Sequence, residues 1–173
     1  MKEYTIPLKG RLTPSEGHHL AMALMCNCSD EKRDFTFRIL DDSLVIHSDR
    51  DVDIPCQHTV QELLPLEVGK GYFFHILFSP FRGHNSNIPI VRDVEITDWL
   101  VRAGERNGLA FTRTVIRDKK HIAFPHGNRT IHVNSVDAVL YGHVVDDRAN
   151  DFVKQGVGKH RAFGYGLVQA KES

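Results

Sequence analysis

The sequence predicts an α+β protein made of two tandem ferredoxin-like units, each with the order β-α-β-β-α-β. Three observations predict this class. Segments with strand and helix periodicity follow that order through the first 80 residues, and a similar order repeats from residue 88 onward. Between them, the polar stretch FRGHNSN at 81–87 has the composition of a linker. We therefore expect an N-terminal domain over 1–80 and a C-terminal domain over 88–173.

The first unit begins with a strand and a helix whose start is marked by Thr13-Pro14-Ser15-Glu16. Threonine at the N-cap, proline at the first helical position and glutamate at the third form a capping box with a preset backbone. Alternation around the turn at Asp41 predicts a hairpin. In order, we expect a strand, a helix, two hairpin strands, a short helix and a buried strand over residues 3–8, 14–26, 35–40, 44–46, 60–64 and 71–78.

The second unit should repeat this order with a longer hairpin. The hairpin tip is predicted at Pro125-His126-Gly127-Asn128, because proline, glycine and asparagine favour turns. Asp146 or Asp147 is expected to cap the helix that follows. In order, we expect an extended piece, a helix, a strand, the hairpin, a strand, a helix and a final strand over residues 88–91, 92–106, 109–116, 119–133, 136–145, 147–154 and 165–170.

The composition argues against several classes of protein. The chain has 173 residues, with 22 Lys and Arg against 22 Asp and Glu. No stretch approaches the roughly 20 apolar residues of a membrane span. The first residues, MKEYTIPLKGRL, lack the apolar core of a signal peptide. We therefore expect a cytoplasmic protein without a membrane partner.

The three cysteines, Cys26, Cys28 and Cys56, are too few and odd in number for a disulfide framework. Together with His58 they supply four potential zinc ligands, although structural zinc sites more often use C-x2-C pairs. We expect reduced thiols and neither metal nor another cofactor. A zinc-dependent scaffold domain is the alternative.

The formal net charge of zero hides a basic region in the second half of the chain. Between residues 106 and 132, six arginines and lysines accompany a single acidic residue, Asp118. From 154 to 171, four basic residues occur with no acidic one. Such a distribution creates a local positive surface that attracts polyanions. The alternative is an ordinary solvated face.

The segment QGVGKHRAFGYGLVQ at 155–169 concentrates glycine and basic residues. It is not a P-loop, because Val153 and His160 replace the glycine and the hydroxyl residue of that motif. Nor is it a dinucleotide fingerprint, because Arg161 stands at the last glycine. Glycine permits positive φ and close approach, so amides here could line an anion site, or the segment could pack on a neighbour. The glycines are Gly156, Gly158, Gly164 and Gly166.

A glycine-rich signature at the end of two ferredoxin-like units resembles that of the CRISPR repeat-processing endoribonucleases of the RAMP superfamily. The similarity is greatest to the branch that matures guide RNA for type I-E Cascade complexes, and it covers essentially the whole chain. The stretch DFVKQGVG at 151–158, followed by GYGL at 164–167, carries most of the resemblance. Weaker support comes from residues 33–37, 68–74, 79–80, 88–91 and 99–100.

The resemblance implies metal-independent cleavage of CRISPR precursor RNA within the repeat stem-loop. Attack of a 2′-oxygen on the adjacent phosphate would leave a 2′,3′-cyclic phosphate and a 5′-hydroxyl. The implied partners are the repeat RNA, which stays bound after cleavage, and the backbone subunit of an effector complex. The system could be type I-E or a related one such as type IV. A non-cleaving RNA-binding subunit is the alternative.

Catalysis in this family centres on a histidine early in the first helix, where GHHL lies at 17–20. Aligning the helix by its downstream apolar residues places His18 at that position, with His19 as the second choice. The tyrosine and lysine that the family often carries nearby are replaced by Ser15 and Ala23. Possible substitutes for them are Lys159, His160, Arg161 and Tyr165.

For RNA binding, the resemblance and the charge distribution together favour the basic hairpin and the glycine-rich segment. Contacts to phosphates should dominate, because the major groove of an A-form stem is deep and narrow. Phe124 and His126 near the hairpin tip could stack on an unpaired base, but we expect them to pack locally. The predicted binding residues are Arg113, Arg117, Lys119, Lys120, Arg129, Lys159, His160 and Arg161.

Overall fold

The computed structural model of the protein describes residues 1–26, 34–82 and 88–173. The described chain forms eight strands and three α-helices, with a short 3₁₀ helix at Arg161–Phe163. The strands are β1 Lys2–Pro7, β2 Phe35–Ile39, β3 Ser43–Ser48, β4 Thr59–Glu62, β5 Gly71–Phe78, β6 Leu109–His126, β7 Arg129–Val144 and β8 Val168–Glu172. The helices are α1 Pro14–Met25, α2 Asp93–Arg106 and α3 Arg148–Gln155.

Two four-stranded antiparallel sheets organise these elements. Their strand orders are β2-β3-β1-β4 and β6-β7-β5-β8, which is the same order within each half of the chain. The core of the first sheet includes Ala21 and Met25 from α1, and the core of the second includes residues of α2 and α3. This arrangement confirms the predicted α+β class with two tandem ferredoxin-like units.

The short helix predicted over residues 60–64 was wrong, because this part of the chain forms strand β4. All four of its residues are exposed, and they pair antiparallel with β1 at the edge of the first sheet. A five-residue helix with no buried face has little to stabilise it. The β-branched Thr59 and Val60 instead favour an extended edge strand.

The strand predicted at 71–78 exists, but its expected place in the first sheet was wrong. β5 pairs with β7 and β8, so it is a central strand of the second sheet. The reason is its apolar face: Tyr72, Phe74, Ile76 and Phe78 are buried in the core that α2 and α3 cover. The boundary between the two units stays a prediction, and this pairing favours one before residue 71.

Helix α1 starts where the sequence predicts. The Thr13 Oγ1 accepts a hydrogen bond from the Glu16 amide at 3.3 Å, and the Glu16 carboxylate accepts one from the Thr13 amide at 2.8 Å. Gly17 is buried, and a Cβ there would overlap the side chain of Ile39 on β2. Glycine therefore allows the first turn of α1 to lie directly against the first sheet.

The predicted hairpin is present and longer than expected. β6 and β7 pair along their length to the tip, where His126 pairs with Arg129 and Gly127 has a φ of 57°. Two irregularities, at Phe111/Arg113 and Ile116/Asp118, interrupt the register. Such bulges increase twist and bend a long ribbon. The hairpin tip thereby reaches the N-terminal half of the chain, where Ser15 contacts it.

A polar network joins the two sheets. Arg38 of β2 is buried, and its Nη1 lies 3.3 Å from His75 Nδ1 on β5. The opposite ring nitrogen, His75 Nε2, lies 3.3 Å from Arg38 Nη2 and 2.7 Å from Asp137 Oδ1 on β7. Burial and the nearby Arg38 lower the pKa of His75. A neutral ring fits these contacts, because it can accept from Arg38 at Nδ1 and donate to Asp137 from Nε2.

Candidate active site

The two helix histidines lie on the first turns of α1, at positions fixed by the capping box and by Gly17. His18 is half-buried, with its Nδ1 shielded from solvent, whereas His19 is exposed. Their ring centres are 5.5 Å apart. The structure therefore places both predicted histidines at one surface, although with different degrees of burial.

A third histidine, His126, reaches this surface from the hairpin tip. Its ring centre lies 5.6 Å from that of His18 and 5.7 Å from that of His19. The Ser15 Oγ lies 3.0 Å from His126 Nδ1, so a hydrogen bond joins α1 to the hairpin. We call His18, His19 and His126 the histidine cluster.

Phe163 of the 3₁₀ helix forms one wall of the histidine cluster. Its ring centre lies 5.7 Å from His18 and 5.0 Å from His126, the latter with an edge-on geometry. It also contacts Phe124, which is buried with Val133 of β7 in a small core between the hairpin and the glycine-rich segment. The local packing expected for Phe124 is confirmed.

The glycine-rich segment binds its neighbours through its own backbone. The amide of Gly166 donates to Leu77 O at 2.6 Å, and that of Lys159 donates to Ser79 O at 3.1 Å. Within the segment, the amide of Val157 donates to Gly166 O at 2.9 Å. These three amides are already used inside the protein. Of the two predicted roles, close packing on a neighbour is the one that they serve.

The predicted basic residues of this segment line an open groove beside α2. His160 lies 3.3 Å from Ser79 Oγ, and burial with Lys159 beside it lowers the His160 pKa. The Lys159 ammonium lies 4.6 Å above the Phe81 ring. The cationic side chains that line the groove are Arg82, Arg102, Arg106, Lys159 and Arg161. Glu95 also lines the groove and pairs with Arg82 at 2.7 Å, and the remaining positive charges on this concave surface make an electrostatic footprint for phosphates.

The five predicted cations of the hairpin are all exposed along β6 and β7. Two already contact carboxylates: Lys119 forms an ion pair with Asp93 of α2, and Lys120 lies 2.8 Å from Asp118. The structure thus separates the predicted residues into the histidine cluster, the groove beside α2 and the exposed hairpin. The remaining hairpin cations are Arg113, Arg117 and Arg129.

Sequence reasoning missed the place of His126 in the cluster. Its neighbours at the hairpin tip indicate only a turn, and its approach to α1 depends on pairing over the whole length of β6 and β7. Tyr165, considered as a substitute catalytic group, is buried beside Phe124, and burial raises its pKa. His126 is recognised as part of the cluster by its proximity to α1 in the folded protein, and no local sequence pattern indicates that position.

Cys28, one of the four potential zinc ligands, lies outside the described residues. Within residues 1–26, 34–82 and 88–173, no group of three or more His, Cys, Asp or Glu side chains is arranged to hold a metal ion. In the same residues, no helix is both long and apolar enough to cross a membrane.

Comparison with solved structures agrees with the fold. A structure of the CRISPR endoribonuclease Cse3 bound to a 19-nucleotide RNA superposes with a TM-score of 0.84 at 18% identity, covering 99% of this chain and 100% of that chain. Cas6e from Escherichia coli K-12 gives 0.76 at 18% identity, covering 98% of both chains. A chain of a CRISPR RNA-guided surveillance complex gives 0.74 at 21% identity over the full length of both.

The chain is therefore a tandem ferredoxin-like protein with a basic surface. Its histidine cluster lies at the junction of the two sheets. No curated protein sequence matches the chain significantly. The family model described as CRISPR associated protein matches residues 9–171, and the chain belongs to this family.

Proposed function

We propose that the protein is a metal-independent endoribonuclease that cleaves CRISPR precursor RNA within the repeat stem-loop. The observation that carries the proposal is the histidine cluster beside the glycine-rich segment, in a chain of the CRISPR associated family. The similar structures are described as an endoribonuclease bound to RNA and as part of an RNA-guided surveillance complex. We therefore also propose that the product RNA stays bound and that the protein serves as a subunit of such a complex.

The proposed chemistry needs a base for the 2′-hydroxyl that attacks the adjacent phosphate. Histidine is suited to this role, because its ordinary pKa is close to neutral. We assign the base to His18, which contacts Phe163 and is half-buried. His19 is the second choice, because it lies equally close to His126 but is exposed. Products would carry a 2′,3′-cyclic phosphate and a 5′-hydroxyl.

RNA binding is assigned to the two cationic surfaces that flank the cluster. The hairpin offers exposed arginines and lysines along a two-stranded ribbon that ends at His126. The groove beside α2 adds Arg161, which lies two residues from Phe163 in the 3₁₀ helix. A stem held by phosphate contacts along these surfaces could place one phosphodiester at the histidine cluster.

The proposal is tested by incubating the protein with RNA from the CRISPR repeat of the source genome in the presence of EDTA. We expect a single cut within the stem-loop and co-elution of the product with the protein in size-exclusion chromatography. A 2′-deoxy substitution at the cut site should block cleavage. Loss of cleavage on chelation would contradict the metal-independent mechanism, and cutting of the deoxy RNA would contradict attack by the 2′-oxygen.

The assigned base is tested by substitution. His18→Ala should slow single-turnover cleavage by about 10²–10⁴-fold, the usual contribution of general acid–base catalysis. Affinity for the uncleavable deoxy RNA should change by no more than a few-fold. If His19→Ala has this effect and His18→Ala does not, the base is His19.

A non-cleaving RNA-binding subunit is the second candidate. It is favoured by Ser15 and Ala23, which occupy positions where the resemblance implies a tyrosine and a lysine. Tight binding of repeat RNA that remains intact after prolonged incubation would support this function over the first.

A further inference from the structure

We propose that His126 is the second proton-transfer group of the site and that Ser15 is its positioning residue. In this assignment, His126 protonates the leaving 5′-oxygen while His18 takes the proton of the 2′-hydroxyl. The inference deepens the proposed ribonuclease function and rests on it.

The geometry brings His126 into direct reach of the histidine that we assign as the base. The ring centres of His126 and His18 are 5.6 Å apart, and the rings are nearly perpendicular, at 76°. Two groups that act on one phosphodiester must each come within about 3 Å of an oxygen on the same phosphorus. Neighbouring rings contributed by α1 and by the hairpin tip are close enough for one phosphodiester to lie against both.

Two contacts hold the His126 ring in one orientation. Ser15 Oγ bonds its Nδ1 at 3.0 Å, and the ring of Phe163 packs edge-on against it at 5.0 Å. With Nδ1 engaged by the hydroxyl, Nε2 is the nitrogen left to face a substrate. A hydrogen bond at one ring nitrogen commonly fixes the tautomer and the orientation of the other.

Three of the alternative donors considered from the sequence, His160, Tyr165 and Arg161, are engaged elsewhere. His160 contacts Ser79 and the Phe81 ring, and Tyr165 is buried beside Phe124. The Arg161 guanidinium donates to Gln155 O at 2.8 Å. His126, by contrast, has ring contacts with both helix histidines.

The reaction balances with these two groups and no further reactant. The 2′-oxygen forms a bond to phosphorus as its proton passes to neutral His18. The bond between phosphorus and the 5′-oxygen breaks, and that oxygen takes a proton from protonated His126. Afterwards His18 carries a proton and His126 is neutral, so exchange with water restores the starting state.

The test uses the full-length protein and two versions of the repeat RNA, one natural and one with a 5′-bridging sulfur at the scissile phosphate. Sulfur is a good leaving group that needs no proton. We expect His126→Ala to slow cleavage of the natural RNA by about 10²–10⁴-fold, because a general acid typically contributes this much. The same variant should cleave the sulfur-containing RNA within a few-fold of the wild-type rate.

Three further variants make the outcome specific. His18→Ala should stay slow on both RNAs, because sulfur does not replace a base. Ser15→Ala should give a smaller loss than His126→Ala, and sulfur should rescue it. His58→Ala is the matched control, since its Nδ1 lies 2.8 Å from Cys56 O in the N-terminal half, outside both cationic surfaces, and it should cleave both RNAs at the wild-type rate.

The possible failures are distinguishable. If the wild type cleaves and His126→Ala is equally fast on natural RNA, or equally slow on both RNAs, the acid assignment is overturned while the ribonuclease function stands. Rescue of His18→Ala instead of His126→Ala would show that the two roles are reversed. If the wild type cleaves neither RNA, the proposed function itself fails.

Discussion

Single glycines determine how the C-terminal segment approaches the rest of the protein. Gly166 has a φ of 101°, and a Cβ there would overlap the carbonyl oxygen of Val157. Its amide also donates to Leu77 O on β5. A side chain at this position would therefore strain the backbone and separate two stretches of chain that hydrogen-bond to each other.

Gly166→Ala should lower the free energy of unfolding by about 3 kcal/mol, the upper end of the cost of a strained backbone position. Gly127→Ala is the matched control, because Gly127 also has a positive φ but an added Cβ meets nothing within 4 Å. Its expected cost is about 1 kcal/mol. Equal losses in urea unfolding would show that the contact with Val157 does not matter.

At the scale of residues, the sequence identified candidate side chains for the site, but it did not indicate which of them are neighbours in space. His18 and His19 could be found because a resemblance assigns a histidine to the start of α1. His126 could not, since its ring meets theirs only after two long strands have paired. The glycine positions were recognisable, whereas their role in hydrogen bonding to β5 depends on contacts far apart in sequence.

At the scale of elements, the hairpin carries two kinds of cation. Some are exposed where RNA can bind, and others already form ion pairs with carboxylates. Lys119 forms an ion pair with Asp93 and donates to Val91 O at 3.3 Å. Arg129 is exposed beside the hairpin turn, opposite His126 in the strand register. A phosphate would have to displace the existing partners of Lys119 but not those of an exposed tip residue.

Arg129→Ala should therefore weaken binding of uncleavable repeat RNA and reduce the slope of log affinity against log salt by about 0.7–0.9. Lys119→Ala should reduce the slope by less than half as much, because part of its charge is neutralised by Asp93. Fluorescence anisotropy at several salt concentrations measures both values. A larger effect at Lys119 would contradict the assignment of the tip as the phosphate contact.

Elements marked by residues within their own sequence were predictable. Elements whose structure or sheet depends on the strands and helices that they contact were not. α1 has proline and a capping box at its start, so its position follows from adjacent residues. β4 has only its β-branched residues as a local signal, and its pairing with β1 determines that it is a strand. For β5, the alternating pattern predicted a buried strand correctly, but the choice between two sheets depends on which helices cover it.

At the scale of the whole molecule, the network of Arg38, His75 and Asp137 makes the contact between the sheets sensitive to acid. Because the pKa of His75 is lowered in the folded protein, the native state binds fewer protons than the unfolded state as pH falls below about 6.5. The contribution of His75 to the free energy of unfolding is therefore complete above that pH, and it decreases as the pH falls toward the pKa of His75 in the folded state. Protonation would also remove the acceptor that faces Arg38.

His75→Gln should reduce this dependence, because a glutamine amide can accept from Arg38 and donate to Asp137 without titrating. Between pH 7.5 and pH 5, the wild type should lose more unfolding free energy than the variant. Urea unfolding at the two pH values measures the difference. His160, whose pKa is also lowered, contributes to both proteins and leaves the comparison valid. Identical losses would contradict a role for His75.

Because Phe163 forms one side of the histidine cluster and lies late in the sequence, the cluster is completed only near the end of synthesis. Ribosomes add about 5–20 residues per second, so Phe163 is synthesised roughly 7–30 s after His18. Throughout that interval, the nascent chain lacks one side of the histidine cluster and the segment that bonds to Leu77 and Ser79. On the proposed function, we therefore expect a partly synthesised chain to cleave RNA only once Phe163 and this segment have been made.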